Sequence, residues 1–134
     1  MTILLLRRPS PDPLPVPAQL AGHAVYCQDC ATLPALLQCL RQARESQPAW
    51  VLIEAGAAEP AQWAAHGREL CAALEALPAP YIEMAANDDD GLDAHLHPLH
   101  APVARVVCSS GREDACRLSL AIAARRLQTV AGSA

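Results

Sequence analysis

At 134 residues and 52% hydrophobic content the chain is one domain (1–134) able to bury a core, and with 3% aromatics and no Phe that core must be Leu, Ala, Val and Ile. A formal net charge of −4 excludes the basic field that draws nucleic acid. No apolar run reaches the roughly 18 residues of a membrane span, and the start, Met1-Thr2 then Ile3 to Leu6, lacks the basic region of a signal peptide, so a cytoplasmic protein with six reduced cysteines is expected.

Ile3 to Leu6 is an unbroken apolar run that fits a strand buried on both faces. Pro9, Pro11, Pro13, Pro15 and Pro17 then alternate, and each removes a backbone donor, so this stretch is an extended loop. Ala18 to Ala21 leaves room for at most one helical turn, and Ala24 to Cys27 is a weak second strand. Thr32 is an N-cap candidate for a helix whose apolar positions are Leu33, Leu36, Leu37, Leu40 and Ala43, ending before Pro48.

Trp50 to Ile53 is a third buried strand, stopped by Glu54-Ala55-Gly56. Pro60 suits the first position of a helix that carries Trp63, Leu70, Cys71, Leu74 and Leu77 and closes at Pro78. Tyr81 to Ala85 and Val103 to Cys108 are the fourth and fifth strands, and a last helix spans about Arg112 to Gln128. Five short apolar strands alternating with helices predict an α/β domain: a flavodoxin-like three-layer sandwich with a five-stranded parallel sheet of order 2-1-3-4-5, its first helix shortened or absent. Ligands of such sheets bind at the carboxyl ends of the strands, here the loops 7–17, 54–59, 86–102 and 109–113.

Three patterns invite chemistry. Cys27-Gln28-Asp29-Cys30 has the CxxC spacing of redox motifs and of half a zinc site, but no second CxxC accompanies it, so packing is the better account. His95, His97 and His100 lie among Asp88, Asp89, Asp90 and Asp93 without matching a metal template; a solvated loop explains them equally well, and no metal or cofactor is assigned. Ser109-Ser110-Gly111-Arg112 precedes a helix and offers amides, hydroxyls and a cation to an anion, or is an ordinary cap.

Several segments, taken together, resemble the type II 3-dehydroquinate dehydratases. The family's I-L-L-L-N-G-P-N-L-N-L-L-G is similar to Ile3 through Pro15. Its I-I-I-N-P-G-A looks like Val51 to Ala57, its P-x-I-E-V-H-x-S-N like Pro80 to Asp88, and its S-P-V-A-x-G-V-I like Ala101 to Cys108. The resemblance implies a flavodoxin-like fold, oligomeric relatives and a hydro-lyase ancestry.

The departures fall on the family's chemistry. Its mobile lid bearing Tyr and Arg has no counterpart in the short stretch after the first strand, its water-positioning Asn is Glu54, its general-acid His is Ala85, and its Ser-Asn pair is Asn87-Asp88. A pocket edged by Glu54 and Asp88 to Asp90 would repel a carboxylated substrate, each unneutralised pair at about 4 Å costing on the order of 4 kcal/mol at an effective dielectric near 20. The expected protein is therefore a diverged member that lacks normal dehydratase activity and works in binding, assembly or regulation, as a homo-oligomer with a small-molecule ligand. The alternative is a lyase or hydrolase with a re-built acid–base site of Glu54, Asp88 and His97, and Asp12, Asn87, Ser109, Ser110 and Arg112 are the candidate ligand contacts.

Overall fold

Trp50–Glu54 (β4) is buried along its whole length, and the sheet is built outward from it. The computed structural model describes residues 2–8, 16–54, 60–85, 102–107 and 112–132, and their side chains except at 85, 107, 112–115 and 128–132. On one side of β4 runs Thr2–Arg7 (β1), in register Ile3 with Trp50 through Leu6 with Ile53. On the other runs Tyr81–Ala85 (β5), followed by Ala104–Val107 (β6). Beyond β1 lies His23–Asp29 (β3), parallel to it from Thr2 with Ala24 to Arg7 with Asp29.

Among the described residues the sheet has six strands, not five. Gln19–Leu20 (β2) adds an antiparallel edge to β3, giving the order β2-β3-β1-β4-β5-β6 in place of the expected 2-1-3-4-5. The reason is local. Ala21 and Gly22 both take positive φ, 50° and 83°, as a two-residue type I′ hairpin loop requires, so the segment read as a possible helical turn folds back on β3 instead. Among the described residues no helix connects β1 to β3. Val16 and Leu20 pack there against the core, in the place a first helix would occupy. The domain is thus α/β with a mostly parallel sheet, an arrangement consistent with a flavodoxin-like kind of fold.

A Cβ at Gly22 would meet no atom within 4 Å, so a substitution there is penalised through the backbone alone. Gly22→Ala is expected to lower unfolding free energy by about 1 kcal/mol, and Ala21→Asn, which relieves the strain at its own position, to raise it by about 0.5 kcal/mol. Urea denaturation of the two variants measures both; a stabilised Gly22→Ala would contradict the hairpin.

Helix α1, Leu33–Ser46, forms as its periodicity predicts: the buried positions are Leu33, Leu36, Leu37, Leu40 and Ala43. The Thr32 hydroxyl accepts from Ala35 N–H at 3.2 Å, and Gln47 ends the helix in a left-handed conformation just before Pro48. Helix α2, Pro60–Glu75, begins at the expected proline and stops three residues before Pro78. Helix α3, Arg112–Gly132, runs four residues past the expected Gln128.

Strand alternation divides the core into two layers. Leu6, Val51, Ile53 and Tyr81 face α1 and α2, joined by Leu36, Leu40, Leu70 and Leu74. Ile3, Leu5, Trp50, Leu52, Ile82 and Met84 face the other way, covered by Cys116, Leu120 and Ala123 of α3. Among the described residues no helix is long and apolar enough to cross a membrane.

Candidate functional site

The chain leaves β1 toward β3 on one side and later returns to β4 on the other, so strand order reverses at the carboxyl end of β1. That reversal is where open α/β sheets bind ligands. Arg7, Arg8 and Glu54 converge there. The β1/β4 register ends at Leu6 beside Ile53, which makes Arg7 and Glu54 the next residues of neighbouring strands. Both lie on the α3 side, two residues beyond Leu5 and Leu52.

Glu54 is 6% exposed, and its Oε1 accepts the backbone N–H of Arg8 at 2.9 Å. The carbonyl of the same Arg7–Arg8 peptide accepts from Cys30 N–H at 2.6 Å. One peptide plane is therefore held from both sides: its N–H by the carboxylate ending β4, its C=O by the amide that follows β3. Three strand ends are fixed to one another through a single unit of main chain, which gives the reversal point a rigid floor.

The charges at this point depart from expectation. Glu54 does not stand as an exposed acid at the rim; it is buried, engaged by the main-chain N–H of Arg8, and next to Arg7 at the neighbouring strand end. Cys116 of α3 lies within the field of this group. Burial pushes its thiol up most, Arg7 opposes, and Glu54 adds a smaller push upward. Cys27 of β3 is also raised by burial and lowered by Arg7, which hydrogen-bonds with its side chain. The described part of the site is thus a mixed-charge corner with two thiols beside it.

Of the residues proposed from sequence, Glu54 alone has a described side chain. Arg112 opens α3 as a backbone position. Asp12, Asn87, Asp88, His97, Ser109 and Ser110 lie outside the described residues, as do the aspartates and histidines around them. Arg7 and Arg8 were not among the candidates. Their position directly after the first strand was the available signal, since that is where the reversal rule places a site.

The CxxC pair is not a unit. Cys27 is exposed and lies beside Arg7, whereas Cys30 is buried in the layer that carries α1. Residues three apart on an extended chain point to opposite faces. The sulfur neighbouring Cys30 is Cys39 of α1, at 3.3 Å. Among the described residues no group of three or more His, Cys, Asp or Glu is arranged to hold a metal ion.

A shallow groove of about 600 Å³ between α1 and α2 is lined by Leu37, Arg41, Glu45, His66 and Glu69. Arg41 and Glu69 pair across it at 3.2 Å, with both side chains more than half exposed, so it is a solvated helix seam. Compared with known proteins, the chain matches no protein-family model and no curated protein.

Proposed function

We propose that this chain is a diverged relative of the type II 3-dehydroquinate dehydratases that has kept a flavodoxin-like scaffold and lost the dehydration chemistry, and that it binds a small molecule at the carboxyl ends of β1 and β4. The observation that carries this reading is the ending of β5 in Ala85, one residue beyond the Met84 that pairs with Glu54. That is the position at which the resemblance calls for a histidine to protonate the leaving hydroxyl, and alanine has no titratable group. Glu54, in place of the family's asparagine, accepts a main-chain hydrogen bond. A general acid alone contributes about 10²–10⁴-fold, so its loss together with the lid leaves little acceleration.

Assembly belongs to the same proposal. Val16 and Leu20 are part-exposed on the α3 side of the sheet, and Tyr26 of β3 is 59% exposed on the α1 side. Apolar surface of this kind is the sort that copies of a chain cover for one another. Sedimentation velocity on the purified protein is expected to show a homo-oligomer.

The direct test is to incubate the protein with 3-dehydroquinate and follow the absorbance of the conjugated product. No dehydration above the uncatalysed rate is expected; turnover typical of a dehydratase would overturn the proposal. A thermal-shift screen of metabolites on the same protein then identifies what is bound.

A second reading rests on the place of Glu54, a buried carboxylate at the reversal point where ligands of such sheets bind. In it, Asp88 and His97 join Glu54 in a lyase or hydrolase site. Glu54→Gln separates the two: it abolishes turnover of any substrate found under the second reading and leaves ligand binding largely intact under the first.

A further inference from the structure

Cys30 and Cys39 support an inference independent of what the reversal point binds. The Cys30 thiol donates to the Cys39 sulfur at 3.3 Å. Cys30 is 3% exposed, inside the layer between the sheet and α1, while Cys39 is half-buried on α1 and reached from solvent. We propose that Cys30 and Cys39 form a reversible intramolecular disulfide, a redox modification site whose co-reactant is a low-molecular-weight disulfide of the oxidised glutathione class.

The geometry favours this pair over the sequence-adjacent one. A disulfide brings two sulfurs to about 2.05 Å, so closure asks the two side chains for a little over about 1 Å between them. Cys39 is fixed on its helix and Cys30 follows β3 with its amide bonded to the Arg7 carbonyl, so the sulfurs close by side-chain rotation. Cys27, by contrast, is exposed beside Arg7, on the face opposite Cys30.

Access sets the order of events. Burial, then the contact with Cys39, pushes the Cys30 thiol up to about 12, so it is the poor first nucleophile. The Cys39 thiolate attacks one sulfur of the small disulfide, forming a mixed disulfide and expelling one thiolate. Cys30 then attacks the Cys39 sulfur, giving its proton to the second thiolate as that leaves. Two protein thiols are oxidised and one small disulfide is reduced to two thiols; the two protein protons end on those products.

The link also ties this pair to the reversal point. The amide of Cys30 holds the Arg7 carbonyl, and the N–H of that same peptide holds Glu54. Oxidation at Cys30 therefore acts on one anchor of the plane that positions Glu54.

The test uses the reduced, full-length protein equilibrated with oxidised glutathione, then denatured, alkylated and cleaved before Asp29 and after Arg41. The resulting peptide, Asp29 to Arg41, holds Cys30 and Cys39 and no other cysteine. It is expected to lose both alkylation sites, to be lighter by two hydrogen atoms, and to regain both sites after dithiothreitol. Cys39→Ser should leave Cys30 alkylatable, and Cys27→Ser should change nothing. A peptide that stays doubly alkylated while Cys27 is glutathionylated, a stable mixed disulfide on Cys39, or a Cys27–Cys30 cross-link would each overturn the proposal; the wild-type arm decides these even if a variant folds poorly.

Discussion

Arg105→Ala is expected to destabilise the domain by about 3 kcal/mol, the scale of stripping a cation from a buried carboxylate. Glu83 points from β5 into the layer facing α1 and α2 and is 0% exposed. Arg105 stands directly across on β6, its Nε 3.9 Å from Glu83 Oε2, and is 27% exposed. The Arg105 Nε is buried against the acid, and the rest of the side chain is part-exposed on β6, the last strand of the described sheet. Alanine removes both the charge and the cover. Arg105→Lys should cost less, because it keeps a cation on a long stem but loses the planar fork.

The decisive comparison is with the pair removed together. Glu83→Leu with Arg105→Leu takes out both charges and is expected to lie within about 1 kcal/mol of wild type, since well-packed apolar replacements of buried pairs are often neutral or better. Urea midpoints with unchanged slopes measure all three variants. If Arg105→Ala alone shifts stability by less than about 0.5 kcal/mol, the pair is no more than a surface contact.

The α/β class was legible because its evidence is local. Leu33, Leu36, Leu37, Leu40 and Ala43 recur at helical spacing and are the residues buried under α1. Trp50 to Ile53 is apolar without alternation, as a strand covered on both faces must be. β2 was hidden because two residues, Gln19 and Leu20, carry no period, and the loop signal was Ala-Gly rather than the usual Asn-Gly. β3 extends through Gln28 and Asp29, polar residues at the sheet margin, where burial no longer selects side chains.

The site divides along the same line. Glu54 could be placed at a strand's carboxyl end by the run before it, and that is where it lies. Its partner, the amide of Arg8, is 46 residues away, and no sequence pattern encodes a contact made through the main chain at that distance. The thiol pairing shows the opposite hazard. CxxC spacing drew attention to Cys27 and Cys30, yet strand geometry turns them apart and brings Cys39 to Cys30 from the next helix.

Glu54 provides the second large effect, and two substitutions resolve its role. Glu54→Ala leaves the Arg8 N–H without the carboxylate that accepts from it in a nearly buried corner, and is expected to cost about 2 kcal/mol. Glu54→Gln keeps an acceptor oxygen for that N–H and should recover more than half of the loss. Charge is read separately, at Cys116. That thiol is held up mainly by burial; Arg7 opposes, and the Glu54 carboxylate adds to the rise. A neutral side chain at 54 removes one of the charges that disfavour the thiolate and leaves the Arg7 cation in place. Cys116 should therefore ionise at lower pH in Glu54→Gln than in wild type, and its alkylation rate at fixed alkaline pH should rise while burial keeps it slower than an exposed cysteine. Glu54→Asp is the control: it retains the charge on a shorter arm, so it should leave Cys116 near its wild-type behaviour even if the Arg8 bond weakens. Equal alkylation rates in wild type and Glu54→Gln would mean that the carboxylate does not reach α3 and that the corner is held by hydrogen bonding alone.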